Sequence, residues 1–154
     1  MATTSPVPRF VHLANVMTKT LLRSGIKLVG FGRHPTYLLT VQGRKSGEPR
    51  TTPISVVEWG GKRYLFAPYG VVDWVRNLRA AGAATLTRGR RAEAVRAVEL
   101  PSEEAAPVLK AFIESGNPLG RFFGVTAESS PEEFEHATIS HPVFVLQRAP
   151  STIS

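Results

Sequence analysis

The sequence predicts a mainly antiparallel β-barrel, closed or partly split, of about six strands with helices inserted at two crossovers. Three observations carry this. Short segments with strand-like alternation recur from Thr36 to the last residues, several joined by glycine turns too tight for anything but hairpins. Helical patterns fall only between groups of strands. Closing such a sheet removes the exposed edges that an open one would present. With 154 residues, 42% of them hydrophobic, the chain has enough material for one buried core and is read as a single domain spanning 1–154.

The elements follow in order. Residues 1–5 and the tail from 149 to 154 are expected to be disordered. Residues 6–25 open with prolines, close on Gly25 and carry Phe10, Leu13, Ala14, Met17 and Leu21 on one stripe, with Arg9, His12, Lys19 and Arg23 off it. That is an amphipathic, basic helix, suited to packing on its own core or to lying on an anionic membrane. "TYLLTVQ" and "RTTPISVVEW" read as strands flanking a turn, and Gly60-Gly61 joins the second to "KRYLFAP", which gives a three-strand meander. "DWVRNLRAAG" reads as a short helix ended by Gly82. "AATLTRG" and "RRAEAVRAVEL" form a hairpin turning near Gly89-Arg90. "SEEAAPVLKAFIESG" is a helix with Ser102 as its cap, acids in its first turn and a kink expected at Pro107. Ser130-Pro131-Glu132-Glu133 has the capping-box pattern, and "HPVFVLQR" supplies the sixth strand.

Charge divides the chain. Sixteen Lys and Arg against five Asp and Glu give +11 in residues 1–100; three against seven give −4 in residues 101–154. Such polarity draws anionic partners. Nucleic acid is set aside, because the cations are dispersed among strands and no aromatic stacking motif accompanies them. There are no cysteines, so disulfides, zinc-thiolate sites and thiol nucleophiles are excluded, and a reducing cytoplasm is the expected location. The N-terminus lacks the pattern of a signal peptide, and no apolar run approaches the roughly 20 residues that cross a bilayer, so no membrane span is expected.

Most enzyme constellations are missing: there is no G-x-S-x-G, H-E-x-x-H, P-loop or G-x-G-x-x-G after a strand. His12, His34, His136 and His141 lack ligand spacing, and no metal is assigned. Glu132, Glu133 and Glu135 fit the first turn of a helix, where the macrodipole favours acids. What remains is "VQGRKSGEPRTTPI", with Arg44, Lys45 and Arg50 around a turn of Gly43, Ser46, Gly47 and Pro49, together with "APYGVVDWVRNL". The cations either keep a hairpin soluble or grip an anion.

The order of "GRKSGEPRTTP", a glycine hairpin, a strand ending in "APYG", then "DWVRNL", and finally "HPVFVLQ" resembles the deazaflavin (coenzyme F420)-dependent nitroreductase and quinone reductase family. The resemblance implies a split β-barrel, reduced F420 as hydride donor and an N-terminal helix at the inner face of the membrane. It implies that the anionic phosphodiester and glutamyl tail of the cofactor sit on Arg44, Lys45, Ser46, Gly47, Glu48, Pro49 and Arg50. Leu38, Leu39, Thr40, Thr52, Pro53, Ala67, Pro68, Tyr69 and Gly70 would border it, and Trp74, Asn77 and Leu78 would close over it. No side chain is needed as a catalytic base; the proton is left open between solvent, Tyr69 and Thr52. Pro68-Tyr69-Gly70-Val71 stands where many relatives have Ser-Lys-Gly-Gly, and Phe122, Phe123 and Phe134 stand in the region where studied relatives offer tyrosines toward the substrate. A greasier site for an apolar, quinone-like acceptor is therefore expected, with a nitroaromatic also considered. A non-catalytic lipid carrier and an FMN-binding protein on the same barrel remain alternatives. Oligomeric state is not read.

Overall fold

The structure, a computed structural model, describes residues 36–149. The expected N-terminal helix, His12, His34 and the residues from 150 on lie outside them. Within them are seven strands: β1 (Thr36–Gln42), β2 (Pro49–Ser55), β3 (Val57–Trp59), β4 (Lys62–Phe66), β5 (Ala83–Arg88), β6 (Arg91–Glu99) and β7 (Val143–Arg148). Three α-helices accompany them, α1 (Asp73–Ala81), α2 (Ser102–Glu114) and α3 (Pro131–Ser140), with a 3-10 helix at Pro118–Phe123.

The strands form one antiparallel sheet in the order β2-β1-β5-β6-β7-β4-β3. Its outermost strands, β2 and β3, are separated in sequence by Val56 alone. Two peptide steps span at most about 7 Å, so the sheet has to curl until its edges meet. The expected split barrel is present. "RTTPISVVEW" is one run in sequence but two strands in space, bent at Val56, which turns about six strands into seven. It also breaks the expected meander, because β2 pairs only with β1 and β3 only with β4.

Alternation sorts the core. Leu39, Val41, Ile54, Leu65, Leu86, Val95, Phe144 and Leu146 point into the barrel, where Val75 and Leu78 of α1 cover them. The opposite face of β4 and β7 gives Tyr64, Phe66 and Val143 to a second core beneath α2 and α3. There Phe66 stacks on Phe112 at 4.4 Å between centroids, and Phe123 meets both rings edge-on. Phe123 and Phe134 are fully buried in this layer. They do not face a substrate as expected, because a phenylalanine on the apolar stripe of these helices gains more from the core than from a wet cleft.

Local signals hold at most ends. Gly60 and Gly61 both have positive φ, as a two-residue hairpin turn requires. Gly82 takes the left-handed conformation, and its N–H donates to Leu78 O at 2.7 Å. Ser130 and Glu133 form the reciprocal capping box. Ser102 is not the cap of α2: it lies inside the helix, and the capping position falls on Pro101, whose side chain has no acceptor to offer. Ala149, expected to belong to a disordered tail, is held in place: its N–H donates to Ala94 O at 3.3 Å.

Two bidentate ion pairs tie separate elements, Arg79 of α1 to Glu99 of β6, and Arg63 of β4 to Glu93 of β6 across the intervening β7. The Arg63 guanidinium hydrogen-bonds the Glu93 carboxyl and holds its pKa below the ordinary value. A depressed carboxylate stabilises the fold above its unfolded pKa and loses that contribution as pH falls through the folded value. Glu93→Gln should therefore lower Tm near neutral pH by about 2–4 °C at most, the pair being partly exposed, with the difference shrinking as acid titrates the carboxyl below the ordinary glutamate range; a series of thermal melts from neutral into acid pH checks it.

Candidate functional site

Parity places the two suspect segments together. β1 and β4 run in the same sense in the sheet order, so the turn after β1 and the loop after β4 emerge at the same end of the barrel. The turn is compact: Gly43 N–H donates to Glu48 O at 2.8 Å and Gly47 N–H to Gly43 O at 2.9 Å. A Cβ at Gly43 would lie 3.0 Å from both Glu48 O and Ser46 Oγ, and Gly47 has φ +75°. Both glycines are thus required by geometry.

α1 docks on this turn through one side chain. Asn77 is 5% exposed, and its Oδ1 accepts from the Arg44 backbone N–H at 3.1 Å and from Arg44 Nη1 at 2.8 Å. Asp73, its side chain 83% exposed, stands 3.5 Å from Arg44 Nη2 and 3.8 Å from Arg76 Nη1. Arg44 is therefore a tethered guanidinium, not the free turn charge that the pattern suggested. Among the described residues Lys45 and Arg50 have no carboxylate within ion-pairing distance.

Between turn and helix lies a groove of about 550 Å³ that takes in Arg44, Lys45, Ser46, Arg50, Thr52, Trp74 and Asn77 from the expected set. Beside it lies a second cavity of about 360 Å³, bordered by Pro53, Pro68, Tyr69 and Phe112 among others. Thr52, Val72 and Trp74 line both. The second cavity runs along the seam where β2 and β4 form no ladder.

Other expected residues stand elsewhere. Leu39, Ala67 and Leu78 belong to the barrel core. Leu38 and Thr40 are buried, Thr40 sharing a hydroxyl hydrogen bond with Thr51 at 2.9 Å. Gly47, Glu48 and Gly70 shape the loops, Pro49 opens β2, and none of the four lines either cavity. Sequence reasoning passed over Val72 and Asp73, which sit beside the groove; the only signal was an acid in the first turn of α1. His141, given no ligand role from the sequence, has a structural one: its Nδ1 donates to Ala67 O at 2.9 Å and so pins the end of β4 where the 67–72 loop begins.

Residues 15–119, more than half of the chain, match the family described as F420H(2)-dependent quinone reductase. The chain belongs to this family. The reductase is similar to a solved F420-H2 dependent reductase, FDR-A, at 26% identity over 73% of this chain and 94% of that one, with a TM-score of 0.51. Two further structures share the fold: one described as a domain-swapped dimer, 24% identical over 88% and 98% of the chains with TM-score 0.54, and the heme storage protein HutZ from Vibrio cholerae, 13% identical over 77% and 84% with TM-score 0.52. No curated protein matches the sequence. Family membership makes the reductase an oxidoreductase with coenzyme F420 as its cofactor and does not favour the lipid-carrier and FMN readings.

The groove suits that cofactor chemically. A polyanion needs cations that no internal acid already neutralises, and Lys45 and Arg50 are such cations beside a tethered Arg44. Lys45→Ala should raise the F420 Kd about five- to tenfold while Tm moves by no more than about 1 °C, since an exposed unpaired cation contributes little to folding. Asn77→Ala should do both: it weakens F420 binding and costs about 1–3 kcal/mol of stability, because it removes the acceptor of two Arg44 donors. Fluorescence titration of the cofactor and thermal melts of the apo protein separate the two effects.

Proposed function

We propose that the reductase passes a hydride from reduced F420 to a flat, apolar, quinone-like acceptor seated in the second cavity. The observation that carries this is the wall the two cavities share at Thr52, Val72 and Trp74: a cationic groove lies directly beside an apolar cavity. Arg44, Lys45 and Arg50 would hold the anionic tail, with the Gly43–Glu48 turn keeping their backbone rigid. Reduced F420, when bound, supplies the hydride.

The chain's own residues position and desolvate. Ile54, Val57, Phe66, Phe112 and Leu119 give the second cavity an apolar wall, and no charged side chain lines it among the described residues. Exclusion of water strengthens the few polar contacts that remain. Those are hydroxyls: Thr36, Thr52, Ser55 and Tyr69. A two-electron reduction of a quinone takes one hydride and one proton to the hydroquinone. Thr52 lines both cavities, and Tyr69 reaches bulk solvent, so each can hand a solvent-exchangeable proton to the acceptor oxygen.

Reduced F420 mixed with menadione should be oxidised in proportion to added protein, with kcat/KM higher than for a small nitroimidazole, whose polar ring gains less from the apolar wall. Absorbance of the oxidised cofactor reports turnover. A protein that binds F420 but reduces only the nitro compound would overturn the quinone reading.

The basic, amphipathic pattern of residues 6–25 supports delivery of an apolar acceptor from an anionic membrane at the inner face of the cell. Each cation near such a surface adds about 1 kcal/mol of attraction. The full chain should sediment with anionic vesicles in a salt-sensitive way and a chain lacking residues 1–25 should not, given circular dichroism that shows the shorter chain folded. Equal sedimentation would remove the membrane from the proposal.

A further inference from the structure

The groove between the Gly43–Glu48 turn and α1 is cationic with one exception. Among the described residues that line it, Asp73 is the one acidic side chain. Its Oδ1 stands 3.5 Å from Arg44 Nη2 and 3.8 Å from Arg76 Nη1, and its side chain is 83% exposed. An acid in the first turn of a helix is ordinary, because the macrodipole favours it. An acid set against the tethered cation of an anion-binding groove is not, because it occupies the donor that the ligand needs and repels the ligand's own charge.

The two halves of the Arg44 guanidinium are committed differently. Nη1 donates to the buried Asn77 Oδ1 at 2.8 Å, a contact that belongs to the fold. Nη2 faces Asp73 at a distance longer than a charge-assisted hydrogen bond prefers, and an exposed pair of that kind is weak and readily exchanged. Arg76 offers the displaced carboxylate a second partner. It stands one helical turn along α1, half-exposed, and lines neither cavity. The backbone beneath is closed, since Val72 O accepts from the N–H groups of Val75 and Arg76 at 3.1 Å, so the exchange needs only a side-chain rotation.

We propose that Asp73 is the residue that limits how tightly this reductase holds its cofactor. Its carboxylate occupies Arg44 Nη2 while the groove is empty, yields it to an anionic group of F420 by turning to Arg76, and reclaims it as the cofactor leaves. The inference rests on the reading of the groove as the F420 site and names the residue that sets release from it. A reductase that takes its hydride from a dissociable cofactor has to exchange the oxidised form for the reduced one at every turnover. Competition for one guanidinium speeds departure, while Lys45 and Arg50 still draw the incoming polyanion toward the groove.

Equilibrium titration of F420 fluorescence and stopped-flow displacement, both on the full chain and without turnover, test it. Asp73→Asn should lower the F420 Kd about three- to tenfold, chiefly through slower dissociation, with Tm within about 2 °C of the parent. Asp73→Ser should reproduce the gain, both replacements suiting a helix start. Glu104→Gln removes an exposed acid that lies outside the groove and should move Kd by less than about twofold. Arg76→Gln should raise Kd about two- to threefold in the parent and leave it unchanged once Asp73 is Asn, because Arg76 acts only by holding the displaced carboxylate. In an Arg44→Gln chain the effect of Asp73→Asn should shrink to about twofold or less. An unchanged Kd in both Asp73 variants would overturn the proposal while leaving the F420 groove intact. An equal gain from Glu104→Gln would reduce the effect to net charge, and an equal gain with and without Arg44 would reduce it to repulsion of the ligand; either result overturns the exchange. A loss from Arg76→Gln that persists without Asp73 would do the same. Failure of the parent protein to bind F420 would instead strike the groove, and the role of Asp73 with it.

Discussion

One residue, Val56, separates the two outermost strands of the sheet, and that covalent constraint governs the rest of the structure. A seven-strand sheet whose first and last strands are consecutive in sequence cannot lie open. It has to curl, and curling gives it an inside for Leu39, Leu65, Leu86 and Phe144 and an outside to be covered by α2 and α3. The bend has a second consequence. Because β2 stays paired with β1 along its whole length and β3 pairs only with β4, the two edges meet without a ladder between β2 and β4, and residues of β2, β3 and β4 line the apolar cavity at that seam. Closure and the apolar cavity therefore share one cause.

The cationic groove arises at the same end of the barrel by a different route. Antiparallel order brings the β1–β2 turn beside the loop after β4, and the buried amide of Asn77 then fixes α1 to the turn. One amide oxygen thus sets both the backbone position of the turn and the aim of Arg44. Asp73 competes for the same guanidinium from an exposed position, where solvent screens it and an incoming anion can take its place. Among the described residues Lys45 and Arg50 have no carboxylate within ion-pairing distance, which is what a polyanionic cofactor requires and what a merely soluble hairpin does not.

Much of this was legible in the residues themselves. Gly60-Gly61, Gly82 and the Ser130–Glu133 box marked their turns and helix ends through local rules that tertiary structure did not override. The turn from Gly43 to Arg50 declared its charge, and the order of motifs declared the family. What stayed hidden was nonlocal. No local rule distinguishes one long strand from a strand bent at Val56, since both are alternating and β-branched. Arg44 read as a free cation because its partner lies 33 residues away. Phe134 looked like a substrate contact until α3 was seen to bury it, and the pairing of Tyr69 with Phe122 joins segments 53 positions apart that share no pattern.

Charge capture by the turn is the central physical claim, and the salt dependence of F420 affinity tests it most directly. Screening length falls from about 10 Å at 0.1 M to about 3 Å at 1 M ionic strength, which is shorter than the reach of several groove cations acting together. Titration of cofactor fluorescence should give a Kd in the micromolar range or tighter at low salt, weakening by an order of magnitude or more toward 1 M, with F420 preferred to FMN. Affinity that salt leaves unchanged, or FMN bound more tightly than F420, would contradict a deazaflavin held by Arg44, Lys45 and Arg50.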